Sequence, residues 1–591
     1  MGRLKRPLVR WAAGILLLGA TLYAYLLLPF WGWPIRFVKR ARPPLTPPWA
    51  LECWLWEDDS NTAARVEELL QGYARHDIPV RVILIDSPWS TRYNDFEVDS
   101  LRYPNPSVWF RDLEQRGYRV VLWMTCMVNS RSEDTRYTDS RAWFEEARQR
   151  GYLAGGGFSA RWWKGEGGFL DYTHPEALQW WRGMQDRVLQ YGVDGWKLDE
   201  TATLFSSRFL GFPVFYQRTH SGILTTRKYM DLYYRLEYGH GLEHNPEFIT
   251  LVRGIDRSYV HPEGFAPLDA APVVWVGDQE HAWSREDAPN RGWLGLIGGD
   301  RGLREAIKDV LLSARRGYCV VGSDVGGYAG SQIPPRLYIR WAQFSAFCGL
   351  FLNGGHGERR LWLRSREELE IIRKFSWLHT ELVPYMYSYV VRAHLGEPPL
   401  IRPTGDDFQY LFGDYLLVAP IYRDAEEWEI RVPRGRWYYL FDDSVELVGP
   451  SRHRLAVPLD QYPVLVREGA IIPLSVRRSY TEMGDEGSEG FVTLLIYPAH
   501  RSGFELWCPD RPGRATISVE RDGPALRIHL RGAGFAHILR VHLLTEPESV
   551  LLDGKILQPG ARWHYDPAAR KLIVKTLTYE TGDYEIRLQT R

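Results

Sequence analysis

The sequence predicts an α/β chain: a (β/α)8 barrel, one or two C-terminal β-sandwich domains, and an N-terminal transmembrane helix. Three observations predict it. Eight short apolar runs alternate with amphipathic segments, short strands with Pro/Gly turns take over from about residue 386, and residues 11–35 carry no charge. Strand and helix patterns in alternation imply a parallel sheet covered by its crossover helices.

The apolar runs occupy residues 51–56, 80–86, 118–124, 195–199, 248–253, 272–278, 318–324 and 347–353. Amphipathic stretches at 62–75, 107–116, 175–191 and 303–315 lie between several of them. Five runs end on a charge: Asp86, Asp199, Arg253, Asp278 and Asp324. A barrel gathers its catalytic groups at the C-terminal ends of its strands. A single Asp there also suits a helix N-cap, but the set as a whole points to a site. Two connections, 127–191 with a Gly- and Trp-rich stretch at 155–168, and 201–247, are long enough to be lids.

Composition narrows the class. In 591 residues, 73 basic and 73 acidic side chains cancel, which argues against nucleic acid as the main partner. Hydrophobic residues at 45% allow a large core, and 25 Trp suit stacking on sugar faces as well as core packing. Cys53, Cys126, Cys319, Cys348 and Cys508 form no C-x-x-C pair, so neither a disulfide framework nor a zinc site is implied.

At the N-terminus, Arg3, Lys5, Arg6 and Arg10 precede the uncharged stretch, and Trp31 and Trp33 follow its apolar part. About 20 apolar residues span a bilayer, whereas a signal peptide has an apolar region of about 7–15. The expected organisation is therefore a cytoplasmic tail at 1–10, an uncleaved single-pass anchor at 11–33, and a Pro-rich linker at 34–48. A barrel at 49–385, a proximal β-sandwich at 386–478 and a distal β domain at 479–591 follow, outside the cytoplasm. Arg36, Lys39, Arg40 and Arg42 balance the first basic cluster, so this orientation rests on the leading cluster.

Short motifs then recur in a recognisable order. Ile83-Leu84-Ile85-Asp86 precedes Trp89 and Tyr93-Asn94-Asp95-Phe96; Arg102-Tyr103-Pro104-Asn105-Pro106 and Asp171-Tyr172-Thr173-His174-Pro175-Glu176-Ala177 follow. Lys197-Leu198-Asp199, Leu251-Val252-Arg253-Gly254, Val274-Trp275-Val276-Gly277-Asp278 with Trp283, Gly322-Ser323-Asp324-Val325-Gly326-Gly327-Tyr328 and His356-Gly357 complete the set. Over residues 51–474 this series resembles glycoside hydrolase family 31, the α-glucosidase, α-xylosidase and α-galactosidase clan.

The resemblance implies a retaining α-glycosidase that releases terminal α-linked sugars from an oligosaccharide or glycan, with no metal or cofactor. Asp199 would be the nucleophile and Asp278 the general acid/base, standing about 5–5.5 Å apart as retention requires. Asp86, Trp123, Lys197, Arg253, Trp275, Asp324 and His356 would bind the sugar, with Asp324 equally suited to a structural role. Lys197 matches the K-x-D form of the xylosidase- and galactosidase-like branches; two residues from Asp199, it shares that strand face and would help hold Asp199 ionised. Glu200 follows Asp199 directly where an Asn-Glu or Gly-Glu is usual, and Gly354 stands where the family places an arginine. Family members usually carry a β-sandwich before the barrel, and about fifty residues precede the first strand here, so a chain without that domain is expected, with insertion 127–191 replacing its wall of the pocket. The same residues suit an α-transglycosylase, and an idle barrel would be a carbohydrate-binding protein.

Overall fold

A computed structural model describes residues 5–27, 41–209, 212–254, 266–284, 301–405, 408–511, 513–532, 534–575 and 582–589. Each of the eight expected runs holds one strand of an eight-stranded sheet: β1 Cys53–Leu55, β2 Val82–Ile85, β3 Arg119–Met124, β4 Gly195–Leu198, β5 Ile249–Arg253, β6 Val273–Trp275, β7 Val321–Gly322 and β8 Phe351–Asn353. The strand order is β7-β6-β5-β4-β3-β2-β1-β8. The sheet closes at its ends, where Val325 N–H donates to Leu352 O (2.8 Å) and Gly349 N–H to Val321 O (3.1 Å). Chain-order neighbours in a closed parallel sheet make a (β/α)8 barrel. The strands are buried on both faces, which is why they read as unbroken apolar runs rather than alternations.

Two compact units make up the chain, Met1–Ala41 with Asn61–Ala63 and Ile85–Ala271, and Arg42–Ser60 with Ala64–Leu84 and Pro272–Arg591. In the first, α2 Pro106–Gln115 leads into β3, α3 Pro175–Leu189 into β4 and α4 Thr226–His244 into β5; α1 Ala63–Arg75, which precedes β2, belongs to the second apart from its first residue. Local signals start these helices. His174 accepts from Ala177 N–H with Pro175 in the first turn of α3, and Thr225 accepts from Lys228 N–H at the start of α4. The α3–α4 contact encloses Glu237, which accepts from Trp181 Nε1 (2.9 Å) and Gln185 Nε2 (2.6 Å) and from Tyr172 Oη. Burial pushes the Glu237 carboxyl up, against the pull of these donors.

Neither long connection is an open loop. Within 127–191, strands Met127–Ser132, Gly165–Phe169 and Ser159–Trp162 form a three-stranded antiparallel sheet beside the helix Arg141–Gln149, and α3 completes the segment. Glycine is required at the sheet's centre, because a Cβ on Gly167 would lie 2.4 Å from Val128 O. Most of 201–247 is two small hairpins followed by α4. Between β5 and β6, the described residues hold one 3-10 turn, Leu268–Ala270.

The second unit carries β6 to β8, then α5 Leu303–Arg315, α6 Pro335–Ser345, α7 Arg366–Glu381 and α8 Val383–His394. Ser365 and Glu368 form a reciprocal capping box at the start of α7. Helix α8 runs past the expected boundary at 386, and the first C-terminal strand is Ile401–Pro403. A six-stranded antiparallel sheet follows to Arg467, then a five-stranded and a second six-stranded sheet. Ile471–Leu474 belongs to the five-stranded sheet, pairing with Val492–Ile496, so the strand system changes before the expected boundary at 478.

Glu381, the last residue of α7, is buried and accepts the N–H groups of Arg477 (2.7 Å) and Arg478 (2.9 Å). Burial raises its pKa from 4.5 to about 7, against those two donors. A carboxyl whose folded pKa is raised contributes stability below its unfolded pKa, and that stability is lost as pH rises through the folded value. The expected loss is about 3 kcal/mol between about pH 5 and about pH 8. Denaturation at the two pH values measures it, and Glu381→Gln should flatten the slope; an unchanged slope would reject the assignment.

The N-terminal helix spans Lys5–Leu27 and exposes Trp11, Ile15, Leu16, Leu17, Leu18 and Leu22. Among the described residues no helix is long and apolar enough to cross a membrane. Residues 28–40 lie outside the described residues, and with them Trp31, Trp33 and most of the expected linker.

Candidate active site

The first unit supplies a complete set of groups around Asp199. Parallel pairing sets Trp123 on β3 opposite Lys197 on β4, and Leu251 on β5 opposite Lys197 from the other side. The side chains at the three strand ends are therefore neighbours. Trp123 Nε1 donates to Asp199 Oδ2 (3.0 Å), and Glu200 N–H donates to Asp199 Oδ1 (2.9 Å). Both carboxylate oxygens accept, as an ionised carboxylate can. Asp199 itself is half-buried, open enough to meet a substrate.

Lys197 is buried, and its Nζ lies 2.6 Å from Asp86 Oδ2. The sequence placed this ammonium on the strand face of Asp199; the fold adds a pair with Asp86, which the sequence did not announce. Asp86 Oδ1 also accepts Ser87 N–H (2.7 Å). Arg253, 2% exposed, lies 2.7 Å from Glu200 Oε2. Glu200 is thus the carboxylate that holds the arginine at the end of β5. Its unusual position directly after the Asp was the signal in the sequence.

An aromatic wall backs this group. Trp162, from the three-stranded sheet, stacks on Trp123 with centroids 6.2 Å apart and planes 4° apart. Tyr93 meets both rings edge-on at 5.6 and 5.4 Å. Trp162 Nε1 is fixed by Asn129 Oδ1 (3.0 Å), and Trp163 beside it is 43% exposed. The remaining first-unit motif is structural: Asp171 accepts from Thr173 and from His220 N–H, and Tyr172 binds Glu237.

The second unit carries the other expected residues. Trp275 ends β6 and is 1% exposed; Asp278 follows through Gly277, whose φ of 118° belongs to glycine, and is half-buried. Backbone bonds stitch this segment to the one after β7, with Tyr328 N–H (2.7 Å) and Ala329 N–H (3.0 Å) both donating to Gln279 O. His281 lies between Gly326 O (2.8 Å) and Gly330 O (3.1 Å); burial, with Arg359 adding to it, lowers its pKa to about 4, against the pull of the two carbonyls. Arg301 pairs with Glu280 at 2.9 Å.

Asp324 is fully buried and accepts from Trp56 Nε1 (3.1 Å). The Trp56 ring stacks on Tyr328 at 5.8 Å, and Tyr328 Oη donates to Asp58 Oδ2 (2.8 Å). His356 lies between two carboxylates, 3.2 Å from Asp58 Oδ2 and 2.6 Å from Asp59 Oδ1. Buried Arg359 binds the carbonyls of Val325, Gly327 and His356 (2.5–3.2 Å). The sequence reading missed Trp56, Asp58, Asp59 and Arg359. At Gly354, a Cβ would lie 1.7 Å from Trp56 Cδ1: the tryptophan excludes any side chain there, which accounts for the missing arginine.

The sequence model of the glycosyl hydrolases family 31 TIM-barrel domain matches residues 43–389, more than half of the chain. This chain belongs to glycosyl hydrolase family 31. The family's C-terminal domain model matches residues 389–472. Among curated family 31 relatives, Alpha-glucosidase 2 of Bacillus thermoamyloliquefaciens is 24% identical over 90% of this chain and 68% of its own length. Alpha-xylosidase of Emericella nidulans is 27% identical over 75% of this chain and 56% of its own. In fold, the family 31 dextranase of Flavobacterium johnsoniae complexed with glucose superposes with a TM-score of 0.77 at 20% identity, covering 92% of this chain and 71% of that one.

Proposed function

We propose that this protein is a retaining α-glycosidase that removes terminal α-linked sugars from an oligosaccharide or glycan by double displacement. The observation that carries the reading is Asp199 at the end of β4, held by Trp123 and the Glu200 N–H and flanked by the Lys197–Asp86 pair. Asp199 attacks the anomeric carbon while Asp278 protonates the departing oxygen; the glycosidic C–O bond breaks as the C–O bond to Asp199 forms. Water then attacks the same carbon, Asp278 takes its proton, Asp199 leaves, and the sugar departs with its α configuration kept. Lys197, Asp86, Arg253, Trp275, Asp324 and His356 bind and orient the sugar. Residues 127–169, which bring Trp162 onto Trp123, form one wall of the pocket. The similarity to proteins named α-glucosidase and α-xylosidase supports the substrate class. The apolar side chains that helix Lys5–Leu27 exposes around its axis support attachment to a membrane, with the barrel outside the cytoplasm.

The test compares α-gluco-, α-galacto- and α-xylosides bearing nitrophenyl and alkyl leaving groups. Wild type should turn over one sugar series with both leaving groups. Asp278→Ala should lose about 10²–10⁴-fold on the alkyl glycoside and far less on the nitrophenyl one, whose leaving group needs no proton. Equal losses on both would reject Asp278 as the acid. Binding without turnover on every sugar would make the protein a lectin.

A further inference from the structure

A second cluster of chemistry-bearing side chains lies at the other end of the first unit. Helix α4 places His240 and His244 four residues apart, hence on one face. Asp186, in the last turn of α3, reaches between them. Its Oδ1 lies 2.8 Å from His240 Nε2 and 2.9 Å from His244 Nε2. The second nitrogen of His240, Nδ1, faces Glu243 Oε2 at 3.2 Å. The His240 side chain is 6% exposed, whereas Asp186 and His244 are 37% and 33% exposed and open the cluster to solvent.

We propose that Asp186, His240 and His244 form a structural divalent-metal site that clamps α3 to α4. One ligand atom from each residue lies within 4.8 Å of the others. A metal at about 2.0–2.1 Å from each needs donor atoms about 3.3 Å apart. The partly exposed Asp186 and His244 side chains supply that small opening. Glu243 completes the arrangement typical of metal-binding histidines, in which a carboxylate holds Nδ1–H and presents the Nε2 lone pair to the ion. Arg182, 3.9 Å from Glu243 Oε1, balances the charge of this outer carboxylate. Two imidazoles and one carboxylate favour zinc over magnesium or calcium, which prefer all-oxygen sets. Water fills the remaining position.

Location sets the role. Helix α3 leads into the N-terminal end of β4 and α4 into that of β5. The cluster sits where those helices end, opposite the strand ends that carry Asp199 and Arg253. Groups on that face of a barrel serve stability rather than catalysis.

The experiment uses untagged full-length protein stripped with a chelator, with zinc for thermal unfolding and cobalt for visible d–d absorption. Wild type should gain about 3 °C in Tm at zinc a hundredfold above its Kd and show tetrahedral cobalt bands at one equivalent. His244→Ala and Asp186→Asn should lose both signals while keeping the metal-free circular dichroism of wild type. Glu243→Gln should weaken binding about tenfold. If Asp186→Asn does not fold, His244→Ala, at a partly exposed position, decides alone. No signal in wild type would leave a hydrogen-bonded clamp without metal, and signals persisting in His244→Ala would place the ion elsewhere; either result overturns the proposal.

Discussion

Replacing Asp199 with alanine should lower turnover of the preferred aryl α-glycoside by on the order of 10⁵-fold. The reason is specific to a nucleophile: without the carboxylate there is no covalent intermediate, and Asp278 alone supplies only proton transfer. The fold should survive. Asp199 is half-buried, and its loss takes the acceptor from two donors, Trp123 Nε1 and Glu200 N–H, at about 1–3 kcal/mol each where water cannot replace it. Added azide or formate should restore turnover, because a small anion fits the vacated space and attacks the same carbon; azide should give the β-glycosyl azide. Turnover within tenfold of wild type, or a rescue product of α configuration, would remove Asp199 from the mechanism.

Lys197→Met should destabilise the protein by about 3–5 kcal/mol, because breaking a buried ion pair leaves the other charge in a poor solvent. Asp86 and Lys197 are both 5% exposed and stand 2.6 Å apart, so water cannot replace the ammonium. Methionine keeps most of the lysine's length and removes only its charge. The double variant Asp86→Asn with Lys197→Met should recover much of the loss, since the stranded charge goes too, while sugar turnover stays impaired. Unfolding midpoints for the four proteins of this cycle provide the measurement. Additive losses would show that the two residues do not act as a pair.

The barrel was legible because its strands are buried on both faces. Such strands are apolar along most of their length, and each of the eight runs holds one. Helices with a well-marked amphipathic stripe, such as Leu303–Arg315, were equally plain. The insertions were not. Gly165–Phe169 is a strand rich in glycine because backbones crowd around it, and that composition reads as a loop when neighbours are unknown. Helix α8 was lost because its tyrosines and valines, Tyr385, Tyr387, Tyr389, Val390 and Val391, look like strand residues although the segment packs as a buried helix. The strand ends marked the positions of Asp199 and Asp278, whereas the partners of such residues depend on pairing. Arg253 meets Glu200 through the β4–β5 register, and Trp56 meets Asp324 across 268 residues. The displaced Glu200 hinted at the first of these contacts, but the second has no local signature.

The Trp56–Gly354 packing couples two positions that are far apart in the chain. An arginine at 354 and a tryptophan at 56 are mutually exclusive, since even a methyl group at 354 would overlap the indole. Neither position can change by itself without cost: an arginine at 354 alone collides, and removing Trp56 alone takes a donor from Asp324 and opens a cavity behind Tyr328. Any side chain introduced at 354 will therefore have to come with a smaller residue at 56, and the two positions have to be engineered together.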